Sequence, residues 1–195
     1  MKIGEAQQIY REQVKEYRAQ RSAIAKQLKD VRSRMEHFPG QQEEYASEAA
    51  TLELTLNALD EKETEYQEYL DRLAQQYCAY WNATVADQQA DAAAEYAEDV
   101  AKMMEVARRI MKGGIVPAQD EKKLMEYSFE MYQTAKNIGS LARREKKEKY
   151  KSLWKEEEEK EYDDPQEAAE NGTAPAGAPD VVDVADTVAS AVESK

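Results

Sequence analysis

Side chains able to do chemistry are few in this sequence, and they do not cluster. There is one histidine, His37, and one cysteine, Cys78. A structural zinc site needs several such ligands, and an internal disulfide needs a second thiol. His37 directly precedes Phe38-Pro39-Gly40. There an imidazole caps helical carbonyls and complements the negative end of the helix dipole. A carboxylate-bridged metal bundle would repeat Glu-x-x-His on facing helices, but Arg34 stands three residues before His37. Cys78 adjoins Tyr77 with no basic neighbour in sequence to activate it, and reads as structural. Gly113-Gly114 lacks the Gly-Lys-Ser/Thr ending of a phosphate loop. The run Glu156–Glu159 lacks calcium-loop spacing and reads as a solvated charge run. The expectation is a protein that is not an enzyme, with no catalytic residues, no cofactor and no metal.

The basic stretch Arg143-Arg144-Glu145-Lys146-Lys147-Glu148-Lys149 raises nucleic-acid binding. It is followed by residues 156–195, with thirteen acids and two bases, which would oppose any polyanion. Residues 1–155 hold 25 bases and 27 acids, so the chain's net charge of −13 resides almost wholly in the tail. Nucleic acid is therefore not expected as a partner. No apolar run approaches the roughly 18 residues of a membrane span, and MKIGEAQQIY carries no signal-peptide hydrophobic stretch. The expected location is cytoplasmic, with no membrane partner.

With no chemistry to position, the organising signal is helical. Between Gly40 and Gly113 lie 72 residues without Gly or Pro. As one helix they would span about 108 Å at about 1.5 Å per residue. Phe38-Pro39-Gly40 and Gly113-Gly114-Ile115-Val116-Pro117 read as helix stop, turn and helix start. Over residues 3–37, Ile3, Tyr10, Tyr17, Ile24, Val31 and Phe38 recur every seven residues, alternating with Gln7, Val14, Arg21, Leu28 and Met35. A second seam runs through Tyr45, Ala49, Leu52, Leu56, Leu59, Glu63, Tyr66, Leu70, Leu73 and Tyr77. A short turn at 38–41 makes the two antiparallel, and the layers then bring Arg21 within reach of Glu63. That pair is read as a register pin, against snorkelling of both side chains to solvent. Charge agrees: residues 2–35 hold nine bases and four acids, and residues 41–78 hold ten acids and two bases.

A second hairpin is expected from Tyr96, Val100, Met103, Ala107 and Ile110 facing Leu124, Ser128, Met131, Ala135 and Ile138. Extended along the same register, it pairs Glu98 with Lys136, Asp91 with Arg143, Asp87 with Lys147 and Trp81 with Leu153. The fourth helix would then run to about Trp154. The fold class is thus all-α: two antiparallel coiled-coil-like helical hairpins sharing a long central helix, with a disordered acidic C-terminal tail. The alternative breaks the central helix near Asn82–Asp87 into a folded-back four-helix bundle. The expected domains are 1–80, 81–155 and a tail 156–195.

Surplus apolar residues mark candidate partner-binding surfaces. Met104, Met111, Met125, Phe129 and Tyr132 widen the second hairpin's stripe beyond what one seam covers. Tyr150, Leu153 and Trp154 form an aromatic anchor, with internal packing on Trp81 as the competing reading. Val181, Val184 and Val188 follow the Gly-Ala-Pro linker at helical spacing, and could fold on a client or dock back on the Met-rich second hairpin. These features point to a non-enzymatic helical adaptor, scaffold or chaperone-like protein that binds protein partners. The alternative is a self-associating structural rod, a homo-oligomer.

Overall fold

The computed structural model describes residues 1–142, 148–154 and 161–193. The helices are α1 (Ile3–His37), α2 (Gln42–Met111), α3 (Ala118–Tyr127), α4 (Phe129–Leu141), α5 (Pro165–Asn171) and α6 (Val184–Glu193), with a 3-10 turn at Pro39–Gln41. No strand forms among the described residues, where isolated bridges join Lys2 to Thr173 and Ile115 to Lys149. The chain is all-helical, and α2 runs without a break through 70 residues. Two compact units result: residues 1–84 with 163–195, and residues 85–162.

In the first unit the sevenfold seam does what its spacing dictates. Ile3, Tyr10, Val14, Tyr17, Ile24, Leu28 and Val31 of α1 are buried, with Ala49, Leu59, Tyr66 and Leu73 of α2. Facing partners run in opposite order along the two helices. Tyr10 meets Tyr66 and Tyr69, Tyr17 meets Tyr66, Arg21 meets Glu63, and Arg32 meets Glu53. His37 closes α1 with Nδ1 2.7 Å from the Ser33 carbonyl. Phe38 departs from the seam: it sits past the helix end, 57% exposed.

The second unit corrects the single long fourth helix. Its core joins Met103, Val106, Ala107 and Ile110 of α2 to Val116, Leu124, Ala135 and Trp154. Ser128, expected in a seam, is instead the N-cap of α4. Its backbone is extended (φ −156°, ψ 104°) and its hydroxyl accepts from the Met131 N–H at 3.2 Å. Serine offers the backbone this local alternative to continuing a helix, so α3 and α4 pack on each other as two short helices. Lys136 consequently bonds Glu121 at 2.7 Å rather than Glu98. Tyr96 and Ile138 are exposed, so the register that pairs them does not hold there.

α4 ends at Leu141 and does not reach Trp154. Residues 148–154 return instead as extended chain, with the Ile115 N–H donating to the Glu148 carbonyl (2.8 Å) and the Tyr150 N–H to the Ile115 carbonyl (3.0 Å). Asp120, fully buried in the first turn of α3, accepts from Ser152 Oγ at 2.6 Å and from the Leu153 N–H at 3.3 Å. The indole of Trp154 donates to Asp99 at 2.9 Å, with Lys123 4.4 Å from its ring centre. Trp81 lies against Tyr77. The expected pairings of Arg143 and Lys147 fall outside the described residues, as do the basic run 143–147 and the acidic run 156–159.

The tail departs most from its compositional reading. Its described part is helical at 165–171 and 184–193 and belongs to the first unit; residues 156–160 and 194–195 lie outside the described residues. Pro165 does not break a helix but starts one. It occupies the first helical turn behind Asp164, whose carboxylate accepts from the Gln166 N–H at 2.8 Å.

Gly139 packs α4 against the end of α2 so closely that a Cβ there would lie 2.1 Å from the Ile110 carbonyl oxygen. Gly139→Ala is expected to destabilise the second unit by about 1–3 kcal/mol, the usual cost of overpacking. Amide exchange should quicken across 103–141 and stay unchanged across 3–73. Unchanged exchange in the second unit would show that the close approach is absent.

Candidate functional site

The sequence reading singled out Arg21 and Glu63, and the structure brings them together. Arg21 Nη1 lies 2.8 Å from Glu63 Oε2 and 2.8 Å from Asp60 Oδ1. Around Glu63 the pair becomes a triad, because Arg18 Nε bonds Glu63 Oε1 at 2.7 Å, with Asp60 a fourth member joined through Arg21. Glu63 is buried while both arginine side chains stay about half exposed. Burial pushes its carboxyl pKa up, but bonds from both guanidiniums outweigh that and hold it below the usual range. Glu63 therefore has two basic partners on α1.

Beside the seam, the first unit carries a feature that heptad spacing does not describe. Ala6 of α1 and Tyr69 of α2 are fully buried although they lie outside the two seams. With Tyr10, Tyr17 and Tyr66 they define a second apolar face, and the C-terminal segment covers it. Tyr10, Tyr66 and Tyr69 are clustered, with Tyr10 and Tyr69 edge-to-face at 4.7 Å between centroids and Tyr17 and Tyr66 at 5.4 Å. Such ring pairs add about 0.5–1.5 kcal/mol to the area they bury.

The phenol hydroxyls form a row of donors to the backbone of residues 175–182. Tyr69 Oη donates to the Pro175 carbonyl (3.0 Å), Tyr66 Oη to that of Asp180 (2.9 Å), Tyr17 Oη to that of Val182 (3.0 Å) and Tyr10 Oη to that of Pro179. Arg72 adds a bond to the Gly177 carbonyl at 3.1 Å, its guanidinium 5.1 Å from the Tyr69 ring centre. The Val182 N–H donates back to Tyr66 Oη at 3.0 Å.

At the near end of this segment, the Ile3 N–H bonds the Gly172 carbonyl (2.9 Å) and the Ala174 N–H bonds the Met1 carbonyl (3.1 Å). A Cβ on Gly172 would fall 2.6 Å from the Tyr80 ring and 3.1 Å from Ile3. At the far end, Val184 and Val188 of α6 pack on the core, and Thr187, nearly buried, shares a 2.6 Å bond with Tyr17 Oη.

No family model matches the sequence, and no curated protein or solved structure compared with it is similar.

The remaining candidate residues divide by exposure. Met104, Met125 and Phe129 stand on the surface of the second unit, as do Tyr127, Ile138 and Leu141, which the sequence reading did not select. Met111, Tyr132, Tyr150 and Leu153 are partly buried against the second unit's core, and Trp154 lies within it. Val181 is exposed, whereas Val184 and Val188 dock on the first unit and not on the Met-rich face. Cys78 is exposed and belongs to no metal-ligating group among the described residues.

Burial raises the phenol pKa of Tyr10, Tyr17 and Tyr69, that of Tyr17 to about 12. A group whose folded pKa lies above its unfolded value, about 10 for tyrosine, stabilises fully below that value and loses the contribution as pH rises through the folded one. The seat is thus expected to release its segment between about pH 10 and 12. Phenolate absorbance and amide exchange across 175–191 should change together, and phenolate formation with the segment still protected would contradict this. For the triad, Arg18→Leu or Arg21→Leu alone should cost under about 1 kcal/mol. The two together should leave Glu63 buried without a partner and cost about 2–3 kcal/mol. Additive single effects in chemical denaturation would show that Glu63 does not depend on them jointly.

Proposed function

We propose that this chain is a non-enzymatic helical adaptor, scaffold or chaperone-like protein that holds peptide segments against its helical faces. One observation carries the reading: a row of tyrosine hydroxyls on the first unit that engages main-chain carbonyls of a segment more than 100 residues away in sequence. Main-chain acceptors are common to all peptides, so this chemistry suits a seat for an extended chain. The flanking contacts at Gly172, Ala174, Val184 and Val188 supply selectivity.

The exposed Met104, Met125 and Phe129, with Tyr127, offer the second unit a separate apolar surface of the adaptable kind suited to protein partners. In this reading the acidic tail is part of the binding apparatus. Residues 163–193 carry eight acids and no base, against the net-basic α1, and cytoplasmic protein partners remain the class of ligand proposed.

The reading is tested with the full chain carrying Val184→Asp and Val188→Asp, which loosen its own segment, and a labelled peptide of residues 163–193. Saturable binding measured by fluorescence anisotropy is expected. Tyr17→Phe in the receiving chain should weaken it about fivefold, as for one hydrogen bond of about 1 kcal/mol. Absence of binding by the loosened chain, with its helices intact by circular dichroism, would overturn the proposal.

A further inference from the structure

The seam of the first unit has two flanks, and the tyrosine row occupies one. On the other flank α1 and α2 enclose a groove of about 430 Å³. Its residues follow those of the row by one position: Arg11 and Arg18 come after Tyr10 and Tyr17, and Leu70 comes after Tyr69. One residue turns an α-helix by about 100°. The groove therefore opens on the side of the seam away from segment 175–182, and no described residue of 163–193 lines it.

Both helices present the same spacing to the groove. Arg11, Val14 and Arg18 of α1 step by three and then four residues, as do Gln67, Leu70 and Ala74 of α2. That is the spacing with which one helix meets another. Val14 is buried, Leu70 is half-buried and Ala74 is small and exposed, which gives a narrow apolar floor. Among the described residues only α1 and α2 line the groove, so it is open opposite that floor. A small molecule there would keep one side in water, whereas small-molecule sites bury roughly 70–90% of their ligand. An amphipathic helix needs only its apolar stripe covered.

Charge selects the kind of helix. Arg11 and Lys15 are exposed, and their side chains make no ion pair or hydrogen bond among the described residues. Arg18 continues their row at the next turn while bonding Glu63 and Gln67. Asp71, on the α2 wall, is the single acid of the lining and accepts from the Gln67 amide at 3.4 Å. An acidic helix edge laid along α1 meets a cation at each turn, and a basic edge is repelled.

We propose that this groove is a docking site for an amphipathic helix of a partner protein. That helix places small or aliphatic residues on the floor of Val14, Leu70 and Ala74, and a row of carboxylates against Arg11, Lys15 and Arg18. The tyrosine row takes no part, so the site is independent of the peptide seat.

The full chain tests it with a labelled helical peptide of about three heptads. The peptide carries alanine and leucine on its seam, glutamate along one edge and glutamine along the other. A second peptide has lysine in place of glutamate. Fluorescence anisotropy should show saturable binding of the glutamate peptide, weakening as salt rises, and no binding of the lysine peptide at the same concentrations. Arg11→Glu with Lys15→Glu should weaken the glutamate peptide about tenfold, as for two exposed ion pairs turned into repulsions, and should admit the lysine peptide. Ala74→Trp, which fills the groove from an exposed position, should also abolish binding. Amide exchange across α1 and α2 should stay unchanged in both variants. No saturable binding of the glutamate peptide to the unmodified chain, or equal binding to the charge-reversed chain, would overturn the site. Binding of a single-stranded oligonucleotide in place of the peptide would overturn the helix as its occupant.

Discussion

A buried phenol hydroxyl must find an acceptor, and most of the first unit follows from that requirement. Tyr10, Tyr17, Tyr66 and Tyr69 are almost wholly removed from solvent. Each would forfeit about 1–3 kcal/mol if its hydroxyl were buried without a partner. The acceptors they find do not lie on the two facing helices. The acceptors come from an extended segment whose prolines and glycines keep it from forming a helix of its own between 172 and 183. Proline and glycine, read from composition as marks of disorder, are here what leaves a row of free carbonyls.

The same logic explains why this face carries Tyr10, Tyr17, Tyr66 and Tyr69 and no phenylalanine. A phenylalanine on this face would bury as much area but could not bind main chain. Further along, the seam needs no such device: Ile24, Leu28 and Val31 close it with aliphatic side chains. Glu63 is the one charged interruption to be buried there, and it is tolerated because two guanidiniums meet it from α1.

How much was legible in the sequence follows from the range of each interaction. The seams of α1 and α2 are periodic, and spacing located them; the nearness of Arg21 to Glu63 followed only from an assumed short turn that sets the two seams antiparallel. The unbroken α2 followed from the absence of Gly and Pro. Ser128 was misplaced because a serine suits either a seam edge or a cap, and only the packing of α4 through Gly139 against Ile110 decides between them. Extending a register past that break set Leu153 opposite Trp81, whereas Trp154 enters the second unit's core. The seat was missed for a different reason. Tyr69 and Ala6 lie one position off the seams, and their partner is distant in sequence and unlike anything periodic. A usable signal did exist: Tyr10, Tyr17 and Tyr66 fall within the seams with Tyr69 one position beside them, and the valines at 184 and 188 needed a surface to meet.

The account stands on residues 175–191 being held by the tyrosine row in the isolated full-length chain. Hydrogen exchange of the backbone amides measures this directly. The account predicts marked protection at Val182, whose N–H is bonded to Tyr66 Oη, and across Thr187–Ala191 in α6, both lost when Tyr17 and Tyr66 are replaced by phenylalanine. Exchange at the rate of an unstructured peptide across 175–191 in the unmodified chain would contradict it.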